Sequence, residues 1–269
     1  KNKNVKCEQV KIKEPHYNHA ILRKDLIRSF SYTDALTLSV RKLLQSIKGN
    51  IKGHRKGKNL VIFSELAYIW RRRREYYHLK KIININLTAI RKNKTKFIFF
   101  PLVTEPEISL HGVAYDFFFQ LAAIQMIARD LPANYKLVIK EHLPAIGRRP
   151  KEFYKQLLEL KNVLIADPLE YGISYINESS AVAVITGTAG WEASAMGIPV
   201  ISFSKYNTFN FLDHVYYVNN PDDTASIINK IVEKKYPNKK SIRDGALMHY
   251  SYKTISVESK NRIPFTTWA

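Results

Sequence analysis

Cysteine is almost absent: Cys7 is the one thiol in 269 residues. That excludes a disulfide framework and argues against a cysteine-built metal cluster. No His, Asp or Glu spacing of the metal-ligand kind appears either, so neither a metal nor a cofactor is expected. Apolar runs long enough to cross a bilayer are missing, as is a signal-peptide pattern, and a cytoplasmic enzyme fits these facts. Zinc-finger spacing and RNP-type aromatics are lacking too, so nucleic acid is not an expected partner. No internal repeat is present. The chain opens on Lys1, from which a missing natural start is expected.

Acid is scarce in one region only. Residues 1–95 hold 24 Lys+Arg against 6 Asp+Glu, whereas residues 96–269 hold 19 against 17. The basicity is densest at Arg71-Arg72-Arg73-Arg74 and from Lys52 to Lys58. Such a surface on residues 1–95 suits anionic phospholipid at the inner face of the cell membrane, an anionic glycan or a lipid-linked acceptor. A solvated helix face with a flexible arm would read the same way. At 45% hydrophobic, the chain holds one large core or two small ones.

Two rhythms divide the chain. Residues 1–20 are polar and read as poorly ordered. Ile21 to Asn50 reads as one or two helices, Lys48 to Asn59 as a charged glycine linker, and Leu60 to Tyr68 as a strand or helix start leading into a helix that runs to about Arg91. After Lys96 strands and helices alternate: strands at 97–100, 136–140, 163–165, 181–185 and 200–203, helices at 117–131, 151–160, 171–179 and 191–196. Alternation of this kind predicts parallel βαβ units in a doubly wound α/β sheet over 96–269, beside a mainly helical, basic part over 1–95. The tail from Ser241, with Tyr250, Tyr252, Phe265 and Trp268, either crosses back toward the N-terminal part or packs locally.

The most informative stretch is 184–203. The apolar run from Ala181 to Ile185 stops at Thr186-Gly187-Thr188-Ala189-Gly190, a short helix follows, and Pro199-Val200-Ile201-Ser202-Phe203 is the next strand. Backbone N–H groups at such a turn favour an anion. Glu192 is expected in the first helical turn, where its carboxylate suits sugar hydroxyls better than a phosphate. Phosphate beside hydroxyls describes a nucleotide. The same residues also suit an ordinary crossover, with glycines for packing. In a doubly wound sheet Lys140-Glu141-His142, Asp167-Pro168 and 186–190 all arrive at the carboxyl edge of the strands. Lys140 and His142 suit a phosphate leaving group, and Arg148 and Arg149 a phosphate or an acidic sugar. Glu105, Glu107, His111 and Asp116 follow a strand end and are candidates for a general base. Asp167 is equally a turn-former before Pro168.

The segment Glu192-Ala193-Ser194-Ala195-Met196-Gly197-Ile198-Pro199-Val200-Ile201 resembles the donor-nucleotide segment of GT-B glycosyltransferases. Residues 97–217 resemble the capsule and surface-polysaccharide biosynthesis family, which includes Kdo transferases. The likeness rests on Phe100-Pro101-Leu102 with Glu105-Pro106-Glu107, Val138-Ile139-Lys140-Glu141-His142, Gly147-Arg148-Arg149 with Phe153-Tyr154, Asn162 to Pro168, and Gly187-Thr188-Ala189-Gly190-Trp191-Glu192. It departs at His142, where Leu143 stands before Pro144 and the family has proline at once. The resemblance implies a GT-B-type fold and cytoplasmic synthesis from a nucleotide sugar, often CMP-activated, onto a glycan or lipid-linked acceptor. Glu192 would bind ribose hydroxyls, and Gly187, Thr188, Ala189 and Gly190 would line the phosphates. Residues 1–95 are too few for a full acceptor domain, so the chain is expected to be truncated or its acceptor half reduced. Two other readings stand: a nucleotide-sugar epimerase of similar architecture, and a catalytically incomplete subunit that binds an anionic glycan or membrane surface.

Overall fold

Phe97, Ile98, Phe99 and Phe100 are all fully buried, so the strand they form is covered on both faces, as a central parallel strand is. The computed structural model describes residues 8–12, 24, 26–51, 59–105, 112, 114–117 and 119–262, and that segment is β1 (Lys96–Pro101). Five strands join it: β2 (Tyr135–Lys140), β3 (Val163–Ala166), β4 (Ala181–Val184), β5 (Val200–Ser202) and β6 (Val215–Tyr217). Every pairing among them is parallel, in the order β3-β2-β1-β4-β5-β6. This is the doubly wound arrangement, whose winding reverses between β1 and β4.

Alternate residues of β1 feed two cores. Ile98 and Phe100 join Leu137, Ile139, Ile124 and Ile127 on one face. Phe97 and Phe99 join Val138, Val182 and Tyr175 on the other, with the Phe99 ring stacked on Tyr175 at 5.4 Å. The covering helices are α4 (Gln120–Asp130), α5 (Lys151–Glu159), α6 (Gly172–Glu178), α7 (Thr188–Ala195), α8 (Asp223–Glu233) and α9 (Lys239–Arg262). Short 3-10 turns lie at Tyr115–Phe117 and Leu143–Ala145.

The N-terminal part, which precedes these in the chain, is helical: α1 (Tyr32–Ile51), α2 (Asn59–Ile82) and α3 (Leu87–Asn93). The Leu60 to Tyr68 stretch is thus helix. Helices α1 and α2 lie antiparallel, since Lys42 pairs with Glu65 at 3.2 Å while Tyr32 meets Trp70 at 5.5 Å. Further along α2, Tyr76 and Leu79 enter the first core, and Phe30 stacks on Tyr76 at 4.0 Å. Asn84 then trades hydrogen bonds with Ile165, its N–H donating at 3.1 Å and its Oδ1 accepting at 2.7 Å, which covers the outer edge of β3. The expected flexible stretch 1–20 and linker lie outside the described residues, save 8–12 and the helical ends at 48–51 and 59.

At the other end α9 packs locally, over the C-terminal end of α7. A Cβ on Gly245 would collide with the carbonyl oxygens of Ser194 and Ala195, so glycine alone permits that crossing. Trp191 of α7 meets His249 and Tyr252 of α9 at 5.3 and 6.2 Å. Phe265 and Trp268 lie outside the described residues.

Candidate functional site

The crevice where the winding reverses is bounded by the residues after β1 and those after β4. Val103 and Gly187 meet there: a Cβ placed on Gly187 would sit 3.6 Å from Val103 Cγ1. Gly187 adopts φ 114°, a conformation L side chains rarely take, and serves as the N-cap of α7 with no side chain capping the helix. The exposed Thr188 and half-buried Ala189 therefore present uncapped backbone at a helix N-terminus. Gly190 is different. It is buried, and a Cβ there would come within 2.6 Å of Phe209 and 2.7 Å of Val184, so its missing side chain serves packing of α7 on β4.

Glu192 was expected in the first turn, and the structure corrects this. Helix α7 begins at Thr188, three residues earlier than the apolar pattern suggested, because the small residues 188–190 are themselves helical. Glu192 is thus one turn in, at i+4 from Thr188 and on the same stripe. It is 6% exposed, and among the described residues no hydrogen bond or ion pair reaches its carboxylate. Burial pushes its pKa up to about 7. A buried acid without a partner is costly unless something outside the chain completes it.

Beneath the other lip lies a closed ionic network. Arg149 Nε donates to Glu141 Oε2 at 2.6 Å, its Nη1 to Glu105 Oε2 at 2.8 Å, and its Nη2 to the Val103 carbonyl. Tyr154 donates its hydroxyl to Glu141 Oε2 at 2.6 Å, and the His142 N–H donates to Glu141 Oε1 at 2.7 Å. Gln120 completes the set: its Oε1 accepts from Val103 N–H at 2.8 Å, and its Nε2 donates to Glu105 Oε1 at 2.7 Å. Burial alone would lower the Arg149 pKa, but Glu141 and Glu105 outweigh it and hold the guanidinium charged. In the Tyr154 phenol, burial and the Glu141 charge together raise the pKa. Arg149, Glu141 and Glu105, read from sequence as ligand-facing or catalytic, are committed to one another. They fix the 102–105 loop against the 141–149 loop. Gln120 carries no motif, and only its position at the start of an apolar helix, fully buried, marks it.

The remaining candidates spread along the same edge. Lys140 ends β2 and donates from Nζ to the Pro168 carbonyl at 3.1 Å. His142 and Arg148 are exposed on the following loop, and Arg148 lies over the Tyr68 ring at 5.8 Å. Asp116 is exposed in the 115–117 turn, held near the end of β5 by Phe117 against Phe203 at 4.9 Å. Asp167 closes a turn, accepting from Leu169 N–H at 2.8 Å. Glu107 and His111 lie outside the described residues. Among the described residues no group of His, Cys, Asp and Glu is placed to hold a metal ion.

No protein-family model matches the chain, and no curated protein matches it. Solved structures resemble it distantly. A UDP-GlcNAc 2-epimerase from Methanocaldococcus jannaschii is 13% identical with a TM-score of 0.42, over 67% of this chain and 49% of that one. A β-Kdo 2,7 transferase from Thermosulfurimonas dismutans is 16% identical with a TM-score of 0.38, over 64% and 52%. An S. aureus protein, MnaA, in a co-structure with UDP is 10% identical with a TM-score of 0.42, over 65% and 49%. The chain spans about half the length of each of these structures. None of these likenesses assigns it to a family.

Proposed function

We propose that residues from about 96 onward form the donor-nucleotide half of a glycosyltransferase of capsule or surface-polysaccharide synthesis. The reaction moves a sugar such as Kdo from its nucleotide, CMP in the first instance, to a glycan or lipid-linked acceptor. The observation that carries this reading is Glu192: buried, unpartnered and one turn below an uncapped helix N-terminus. The N-terminus suits a phosphate. A carboxylate on the same stripe would repel that phosphate if it were its ligand, but it accepts hydrogen bonds from ribose hydroxyls set beside it. As the sugar–oxygen bond breaks, negative charge grows on the departing phosphate. The α7 dipole, Lys140 and His142 are the groups along this edge suited to receiving it.

The test is calorimetric titration of the chain with CMP, UDP, GDP and CDP, repeated on Glu192→Ala. One nucleotide binds selectively, and the variant loses about 1–2 kcal/mol, the worth of a hydrogen bond to the ligand. A folded protein that binds none of the four overturns the reading.

A further inference from the structure

Helix α1 is built the wrong way round for water. The face it turns to α2 carries small residues, with Ala35, Ser39 and Ser46 all buried. Six of its large apolar residues face out: Leu36, Val40, Leu43, Leu44, Ile47 and Ile51 are between 40% and 81% exposed, while Leu38 is half-buried. The spacing of those six positions keeps them on one side of the helix. Small residues toward the partner helix and large ones toward the surroundings is the packing used where the surroundings are themselves apolar.

Charge says what those surroundings are. Over residues 26–51 and 59–82 ten Lys and Arg face three acids. All three acids are already paired: Asp34 with Arg28, Glu65 with Lys42, and Glu75 with Arg74. Arg41 and Lys48, both exposed, flank the apolar stripe. An apolar stripe bordered by cations, with no unpaired acid among the described residues of the hairpin, complements an anionic lipid surface. At 20 residues α1 is about 30 Å long, yet no helix among the described residues is apolar enough to cross a membrane. Lying in the interface is the geometry that remains.

We propose that the α1–α2 hairpin docks on an anionic phospholipid surface, with the outward stripe of α1 at the boundary between headgroups and acyl chains. The hairpin is tied to the carboxyl edge of the sheet, because Arg72 Nη2 donates to the Leu143 carbonyl at 2.9 Å and Tyr68 to that of Pro144 at 3.3 Å. Docking therefore sets the orientation of that edge to the membrane.

Flotation of the whole chain with vesicles tests it, comparing phosphatidylcholine alone with phosphatidylcholine containing phosphatidylglycerol. The wild-type chain floats with the anionic vesicles and is released by high salt. Leu44→Ser with Ile47→Ser weakens partition at least about tenfold, and Arg41→Gln with Lys48→Gln weakens it about thirtyfold. All four positions are exposed, so unchanged circular dichroism confirms the fold of each variant. Failure to float with anionic vesicles, or equal flotation with neutral ones, overturns the proposal. So does a wild-type dimer in sedimentation that Leu44→Ser with Ile47→Ser converts to monomer without any lipid binding, which assigns the face to a second copy.

Discussion

Arg149 Nε and Glu141 Oε2 lie 2.6 Å apart, and both side chains are 1% exposed. Removing one member of such a pair leaves the other charged, buried and uncompensated. Arg149→Ala is therefore expected to cost about 3–5 kcal/mol in urea denaturation. Arg149→Lys recovers only part of that, because a point charge does not span Glu141, Glu105 and the Val103 carbonyl as the guanidinium fork does. Full stability in Arg149→Ala would show that the network does not hold the two loops together.

Gly190 supplies a second test, one of packing. Its Cβ position is 2.6 Å from Phe209 Cζ and 2.7 Å from Val184 Cγ2, closer than real side chains approach. Gly190→Ala is expected to destabilise by about 1–3 kcal/mol through overpacking. Shrinking the obstacle with Phe209→Leu recovers a measurable part of that in the double variant, seen as coupling in a double-mutant cycle.

Much of the architecture was legible because its signals are local. Phe97 to Phe100 and Ala181 to Ile185 are short apolar runs of the length and kind a strand buried on both faces carries, and the alternation with helices sets the parallel topology. The Gly187 turn also announced itself, since a glycine between an apolar strand and a helix marks a backbone need. Helix α8 was missed although Thr224, Ile227, Ile228 and Ile231, all buried, carry the helical period. The start of α7 was misplaced because Thr188, Ala189 and Gly190 have no apolar signal to give. The partnering of Arg149 was not readable at all. Glu105, Gln120, Glu141 and Tyr154 come together only through the fold, with Glu105 and Tyr154 standing 49 positions apart, and no spacing rule links them. Sequence distinguishes an arginine from a leucine but not a ligand-binding arginine from one already spent.

His142 tests the chemistry apart from the fold. It is exposed and lies two residues beyond the end of β2, so His142→Ala should leave the melting temperature within a degree or two, about the effect of a neutral surface change. Release of free nucleotide from the cognate nucleotide sugar should fall by about a hundredfold, the usual loss when a group acting on the leaving group is removed. Nucleotide affinity should change much less. An equal loss of both would make His142 a binding group only.

Glu192 makes the sharpest prediction, because its sign is opposite to that of a paired carboxylate. Its pKa is about 7 in the folded chain against 4.5 for an ordinary glutamate. Below 4.5 both folded and unfolded chains hold the proton and no penalty arises. Between 4.5 and 7 the unfolded chain ionises first, so the acid opposes folding increasingly as pH rises, and above 7 the penalty is constant. Glu192→Gln should match the wild type in acid and exceed its stability by at most about 3 kcal/mol above neutrality. Taking the difference between the two proteins cancels every other titrating group, including His214, whose pKa burial lowers. Nucleotide reverses the sign. Ribose hydroxyls stabilise the ionised acid, so affinity should weaken below about pH 7 by up to tenfold per pH unit. In Glu192→Gln it should be weaker, with no pH dependence over the same range beyond that of the nucleotide's own phosphate, whose second pKa is about 6. A stability difference independent of pH would place the Glu192 proton elsewhere, whereas pH-flat nucleotide binding by the wild type would separate Glu192 from the ligand.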